Sequence, residues 1–275
     1  MTFLEKWYLG AFQSESAFAT LLVDKKGGII VIYITGDTHG QFQHIADFCS
    51  KTGTQKSDIM IILGDVGLNF TGGFIDRFRK KAVNDFPMTT FCIHGNHENR
   101  PSNIETYHTQ KWHGGTVYVE DEYPDLLFAQ DGEIFDMDGY SCLTIGGAYS
   151  IDKLQRLTFG WPWWEDEQPT PEIMHKVEYA LEERGWKVDV ILSHTVPLQY
   201  EPREVFLPHV DQCKVDKSTE EWLESIEKKL KYRKWYAGHY HINKQVGKLQ
   251  LLYKEIHSFS PDLQHSAAIP VYEDS

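Results

Sequence analysis

The sequence has no run of about 18 apolar residues, the length a membrane-spanning helix requires. It has few cysteines, and Cys49, Cys92, Cys142 and Cys213 stand far apart with no CxxC pair. That spacing excludes a zinc ribbon and a disulfide framework and fits the reducing conditions of the cytoplasm. Cys92 and Cys142 lie in apolar, strand-like runs and read as small core residues. Basic residues are outnumbered: 27 Lys and Arg against 40 Asp and Glu give a formal net charge of −13. This disfavours a protein that grips nucleic acid through a broad basic face. It leaves a phosphate substrate open, because bound metal ions supply local positive charge. No internal repeat, low-complexity tract or linker is present. With 275 residues, 41% hydrophobic and 24% charged, the chain suits one globular domain.

The N-terminus does not read as a signal peptide. Glu5, Lys6 and Glu15 precede a weakly apolar stretch at 16–23, and no clear small-residue cleavage site follows. In a bacterial source, Lys26-Gly27-Gly28 can be encoded as a ribosome-binding sequence, with Val31 as a GTG start. Residues 1–30 would then be a non-native extension before a domain at 31–257, with 258–275 a terminal strand or tail. An intact mass of protein from its native host checks this expectation.

Apolar periodicity predicts a layered α/β fold. Buried strands are expected at 29–35, 58–63 and 89–93, separated by helices at 41–51 and 73–86. The second helix is expected to turn Phe74, Ile75, Phe78 and Val83 inward. Short strands at 117–119, 126–129, 133–135 and 142–145 read as an antiparallel meander. An aromatic and proline-rich loop follows at 147–170. Thr170-Pro171 then opens a helix that stops near Gly185. A strand at 188–192, a long polar loop at 197–217, a capping box at Ser218-Thr219-Glu220-Glu221 and a strand at 235–237 complete the chain.

Five short clusters share one pattern: an apolar strand followed at once by Asp, Asn or His. They are Gly36-Asp37-Thr38-His39-Gly40, Gly64-Asp65-Val66-Gly67, Gly95-Asn96-His97-Glu98, Ser193-His194 and Gly238-His239-Tyr240-His241. The C-terminal ends of strands are where open α/β sheets place ligands. Carboxylates, an amide oxygen and imidazoles without thiolate suit divalent ions, with Mn²⁺ expected first and Fe²⁺ or Zn²⁺ as alternatives. Two ions about 3.5–4 Å apart can clamp the attacking and leaving oxygens of a phosphoryl group and turn a bridging water into hydroxide near neutral pH.

In this order the clusters resemble the calcineurin-like metallophosphoesterase superfamily over about residues 31–255. The family pattern reads D-x-H, G-D, G-N-H-[DE], a His after a strand, then G-H-x-H, and each element is present. The resemblance implies an α/β four-layer αββα sandwich, two mixed sheets flanked by helices. It implies a phosphoric ester hydrolase in which a metal-bridging hydroxide attacks the ester. Asp37, His39 and His241 would hold one ion, Asn96, His194 and His239 the other, and Asp65 would bridge them. His97 matches the catalytic histidine facing the leaving group. The segment Gly64-Asp65-Val66-Gly67-Leu68-Asn69 departs from the G-D-x-x-D-R-G of protein serine/threonine phosphatases and lacks their phosphate-binding arginine. The chain is therefore more similar to small bacterial and phage-like members, with a small-molecule phosphate ester expected over a protein. The competing readings are a phosphodiesterase acting on a nucleotide or nucleic acid, and a non-catalytic scaffold on the same fold.

Arg100, Arg156 and Arg203 are candidate phosphate contacts. Trp161, Trp163 and Trp164 read either as an aromatic wall against substrate or as local core beneath a loop. Tyr240 reads either as a substrate contact or as a residue facing away.

Overall fold

Alternation of buried side chains sorts the strands into two stacked sheets. The structure, a computed structural model, describes residues 22–23, 29–262 and 268–269. The expectation for residues 1–30 falls mostly outside them. A short antiparallel pair, β1 (Leu22–Val23) and β2 (Ile29–Ile30), precedes the sheets. Next come β3 (Ile32–Thr35), β4 (Ile59–Ile62), β5 (Thr89–Cys92), β6 (Tyr107–Trp112), β7 (Gly115–Glu120) and β8 (Tyr123–Ala129). They are followed by β9 (Ile134–Met137), β10 (Tyr140–Ile145), β11 (Val190–Ser193), β12 (Lys234–Ala237), β13 (Lys244–Val246), β14 (Leu249–Leu251) and β15 (His257–Ser258).

The first sheet has seven strands in the order β15-β3-β4-β5-β8-β7-β6, and the second has six in the order β13-β14-β12-β11-β10-β9. Strands β3, β4, β5 and β8 run parallel, as do β10, β11, β12 and β14, while the outer strands are antiparallel. Strand β4 is buried throughout, as a parallel strand covered on both faces must be. Its Ile59 and Ile61 face Val190, Leu192 and Tyr236 of the second sheet. Its Met60 and Ile62 face outward to Ile45 and Phe48 of α1 (Gln43–Thr52) and Val83 of α2 (Gly73–Asn84). After α3 (Lys153–Phe159), helices α4 (Pro171–Glu182) and α5 (Ser218–Glu227) cover the second sheet. Their Val177, Leu181, Leu223 and Ile226 pack on Leu143, Ile191 and Trp235. Three apolar layers between four structural layers make the αββα sandwich.

Several expectations are corrected. The meander is divided: β6, β7 and β8 close the first sheet, whereas β9 and β10 belong to the second. Helix α2 is rotated from its expected face. Phe74, Ile75 and Phe78 are 74%, 57% and 67% exposed, and Asp76, Lys80 and Val83 point inward. Asp76 Oδ1 accepts from the Asn69 amide at 2.6 Å, and Lys80 Nζ lies 2.6 Å from Glu120 and 3.4 Å from Asp76. This buried, paired network sets the helix face against the apolar count.

Thr170 caps α4 through Ile173 N at 3.4 Å, with Pro171 in the first turn. The capping box at Ser218 does not form. Gln168 engages the Ser218 and Thr219 hydroxyls at 3.3 and 2.8 Å, and Asp216 Oδ1 accepts from Ser218 N at 3.0 Å instead. The loop at 147–170 contains α3, and the loop at 197–217 contains three short 3-10 turns. Of the C-terminal segment, Ser258 pairs with Tyr33 in β15, and Ala268 bridges His257. No helix among the described residues is long and apolar enough to cross a membrane.

Candidate functional site

The loops after β3, β4, β5, β11 and β12 all leave the C-terminal ends of parallel strands and meet between the two sheets. They interlock through the backbone. His39 N and Gly40 N donate to the Asp65 and Val66 carbonyls at 2.8 Å, and Gly238 N donates to His194 O at 2.9 Å. Five residues of these loops adopt the left-handed region without being glycine: His39 (φ +47°), Asp65 (+46°), Asn69 (+57°), His239 (+70°) and His241 (+51°). Each such conformation costs on the order of 1–3 kcal/mol and persists only where surroundings enforce it, commonly at functional sites. At three glycines that precede a cluster residue, Gly64, Gly95 and Gly238, a neighbouring side chain occupies the space of a Cβ. A methyl on Gly95 would collide with the Asp65 amide and Oδ1, and one on Gly64 with the His194 ring. The Gly-Asp and Gly-Asn pairs are thus a packing requirement for close approach.

The structure gathers Asp37, His39, Asp65, Asn96, His97, His194, His239 and His241 into one cluster. His39 Nε2 lies 2.8 Å from His241 Nε2, and His241 Nε2 lies 3.3 Å from Asp37 Oδ2. On the other side, Asn96 Oδ1 is 2.8 Å from His194 Nε2 and 3.1 Å from His239 Nδ1. Asp65 faces both groups, with Oδ2 3.9 Å from His39 and Oδ1 3.5 Å from His194. Ligand atoms of Asp37, His39 and His241, of His39, Asp65 and His97, and of Asp37, Asp65 and His194 lie close enough to share an ion.

The hydrogen-bond accounting supports a cation here. His194 Nδ1 faces the Leu63 carbonyl at 2.8 Å, and a carbonyl only accepts, so the neutral ring carries its proton on Nδ1 and turns the Nε2 lone pair toward the cluster. Asn96 Nδ2 donates to Ser150 Oγ at 2.9 Å, which turns Oδ1 toward His194. In that tautomer two lone-pair atoms face each other at 2.8 Å, an arrangement a shared cation would satisfy. Asp37 Oδ2 is buried, with His241 Nε2 at 3.3 Å as its neighbour. Carboxylate, amide and imidazole atoms converging at this spacing fit a divalent ion, and the oxygen and nitrogen set suits Mn²⁺, Fe²⁺ or Zn²⁺.

The electrostatics agree in part, since the hydrogen bond with Asp37 raises the His241 imidazole while the buried imidazoles are lowered. Burial, reinforced by His194, pushes the His239 imidazole down to about 3, so it is neutral and able to donate a lone pair. Burial likewise lowers His39, against the pull of Asp65 and Asp37. Burial raises Asp65, but His194, His97 and His39 and the His97 amide at 2.8 Å outweigh it and hold the carboxyl below the ordinary range. Behind the cluster, burial pushes Glu98 well up while its carboxyl accepts from Gly95 N at 2.7 Å and Val66 N at 3.1 Å. Glu98 thereby ties two ligand loops together.

The arginines fall elsewhere. Arg100 is buried and bound to Asp131 and to the Asp166 carbonyl at 2.7 Å, beside a different cavity. Its guanidinium is a structural bracket facing away from the cluster. Arg156 is 1% exposed; it donates to Pro162 O at 2.7 Å and to Ser150 Oγ at 2.9 Å, and it braces the Asn96 loop from behind. Arg203 is exposed and does not line the cleft over the cluster.

Of the tryptophans, Trp164 packs edge-on to Phe70 at 5.7 Å, Lys153 covers Trp163 at 4.1 Å and Trp161 is exposed. None of the three lines the cleft, whereas Tyr240 does. Asp152 and Ser150, which no motif marks, contact the site. Asp152 Oδ1 lies 3.6 Å from His97 Nε2, and Phe70 stacks on the His97 ring at 6.4 Å.

Glu220 also borders the cleft, 4% exposed and bonded to Thr195 Oγ1 at 2.7 Å. Burial lifts it to about 7. The folded state therefore holds this proton more tightly than the unfolded chain does. The stabilisation is complete at acid pH and is lost as pH rises from the ordinary glutamate range through about 7. At 1.36 kcal/mol per unit, the loss amounts to about 3 kcal/mol. Urea unfolding of Glu220→Gln between pH 4.5 and 8 is expected to lack this component. An unchanged pH slope would contradict the assignment.

Comparison with known proteins agrees with this geometry. A search of curated proteins returns no match. The solved structure of TT1561 of Thermus thermophilus is similar at 12% identity and a TM-score of 0.50, covering 88% of this chain and 98% of that one. A protein serine/threonine phosphatase from Saccharomyces cerevisiae with similarity to human phosphatase PP5 aligns at 13% identity and a TM-score of 0.28, over 82% of this chain and 67% of that one. A family model described as calcineurin-like phosphoesterase matches residues 30–243, a span containing every ligand-bearing loop. With the sandwich and the five strand-end clusters in place, the chain belongs to the calcineurin-like phosphoesterase family.

Proposed function

We propose that the protein is a dinuclear-metal-dependent phosphoesterase that hydrolyses a small phosphate ester. The observation that carries this reading is the pair of acceptor clusters joined by one carboxylate. Asp37, His39 and His241 would hold one ion, Asn96, His194 and His239 the other, and Asp65 would contribute to both. When bound, such ions supply a nucleophile at neutral pH and neutralise phosphoryl charge. The protein's own residues do the rest. The His97 side chain is 31% exposed beside the clusters, placed to give a proton to the leaving oxygen. Asp152 and the Phe70 ring hold its imidazole in that orientation. Asp65 accepts from the His97 amide and fixes the loop that carries it.

Ser150 orients Asn96. Its hydroxyl accepts from Asn96 Nδ2 and from Arg156 Nη1, each at 2.9 Å, so the amide cannot turn its NH₂ toward the cluster. Ser150→Ala is expected to weaken Mn²⁺ affinity by about 10–100-fold, as loss of an outer-shell partner does elsewhere. Competition with a chelating dye measures it, and unaltered affinity would remove Ser150 from this role.

Metal-stripped protein tests the function with p-nitrophenyl phosphate and bis(p-nitrophenyl) phosphate. Turnover is expected only after Mn²⁺, Fe²⁺ or Zn²⁺ is added, and the preferred ester separates monoesterase from diesterase. His97→Ala is expected to keep its metal and lose about 10²–10⁴-fold in kcat. No turnover with any of the three ions would contradict the reading.

A further inference from the structure

The cleft above the acceptor clusters has a volume of about 520 Å³, within the roughly 300–1,000 Å³ of small-molecule sites. Its floor is the metal-ligand cluster and His97. Its outer wall differs in character. Among the described residues that line it, none is lysine or arginine. Neighbouring cations are already engaged. Lys217 Nζ is 2.8 Å from Glu201 and sits over the Phe206 ring at 5.1 Å, and Arg156 is buried behind Asn96. An exposed carboxylate, Asp216 of the long loop, stands on the wall instead, while Glu201 is paired with Lys217 and Glu220 on α5 is bonded to Thr195. A site for nucleic acid or a polyphosphate places basic side chains along the path of the phosphates, and this wall does the reverse.

Beside Gln212 and Asp152, the remaining wall is largely apolar. The Phe206 and Tyr240 rings lie 6.1 Å apart and within 23° of parallel, forming a slab on one side. Ile151 and Leu207, 48% and 46% exposed, add aliphatic surface to the lining. Large apolar side chains left exposed around a polar floor mark a contact surface, and ring faces favour a ring or flat apolar group.

We propose that the cleft selects a phosphate ester whose leaving group is a ring-sized apolar moiety without further negative charge, with a cationic or hydrogen-bond-donating substituent favoured against Asp216. The inference rests on the phosphoesterase reading to place the phosphate at the clusters. The wall supplies what that reading does not specify. The Phe206–Tyr240 slab takes the ring, and the Asp216 carboxylate repels a second anion.

Non-hydrolysable phosphonates separate the two ideas by binding alone. Mn²⁺-loaded protein is titrated calorimetrically with methylphosphonate, benzylphosphonate, 4-(aminomethyl)benzylphosphonate and 4-carboxybenzylphosphonate. Benzylphosphonate is expected to bind more tightly than methylphosphonate, and the aminomethyl compound at least as tightly as benzylphosphonate. The carboxy compound is expected to bind at least about 10-fold more weakly than benzylphosphonate, because like charges meet in a partly dry cleft. Phe206→Ala is expected to remove the advantage of the ring. Asp216→Asn, which keeps an oxygen for Ser218 N, is expected to narrow the gap between the aminomethyl and carboxy compounds. Methylphosphonate binding with no gain from the ring, or a carboxy compound that binds as tightly as the unsubstituted one, would overturn the inference alone. Failure of every phosphonate to bind, methylphosphonate included, would overturn the phosphoesterase reading with it.

Discussion

Replacing Asp65 with asparagine is expected to abolish metal-dependent phosphoester hydrolysis, with kcat lower by at least about 10³-fold. Asp65 is 2% exposed, and its two oxygens face the two acceptor clusters. The amide keeps the shape of the side chain but removes the charge and points an NH₂ at one cluster. The His97 amide still finds an oxygen, so the fold is expected to survive, as near-ultraviolet circular dichroism would show. Turnover within tenfold of the wild type would mean that Asp65 does not join two ions.

Gly95→Ala is expected to damage the same centre by a different route. The added methyl would meet the Asp65 amide nitrogen and Oδ1, both part of the packed cluster floor. Backbone cannot rotate aside as a flexible side-chain end can. Overpacking of this kind costs about 1–3 kcal/mol. At about 2–4 °C per kcal/mol for a domain approaching this size, the melting midpoint is expected to fall by several degrees. Asp65 would also be pushed from its place between the clusters, so Mn²⁺ would no longer stabilise the variant. A melting midpoint and Mn²⁺ response equal to the wild type would show that the loop yields without cost.

The legible part of this molecule was local. Strands such as 58–63 are continuous apolar runs because parallel strands are covered on both faces, and the residues that follow them stand out as Asp, Asn and His after glycine. Sequence order thus marks the ends of strands, and the sheet brings those ends together. What stayed hidden depends on distant partners. The inward face of α2 is set by Asp76 and Lys80, whose partners Asn69 and Glu120 lie in other loops and strands. Strand β6 carries an exposed, polar face at a sheet edge and has no apolar alternation to reveal it. Arg100 and Arg156 resemble phosphate contacts in sequence, yet Asp131, Ser150 and Pro162 O occupy them. Asp152 and Ser150 reach the site from a loop with no motif, so only the folded chain places them beside His97 and Asn96.

The strand ends are proposed to build a two-ion centre joined by Asp65. The most direct test is the Mn²⁺ content per chain after metal-stripped protein is dialysed to equilibrium, read by elemental analysis alongside the electron paramagnetic resonance spectrum. Two ions per chain with a spin-coupled spectrum are expected, and Asp65→Asn is expected to lose the coupling. One isolated ion, or none, in the wild-type protein would contradict the account.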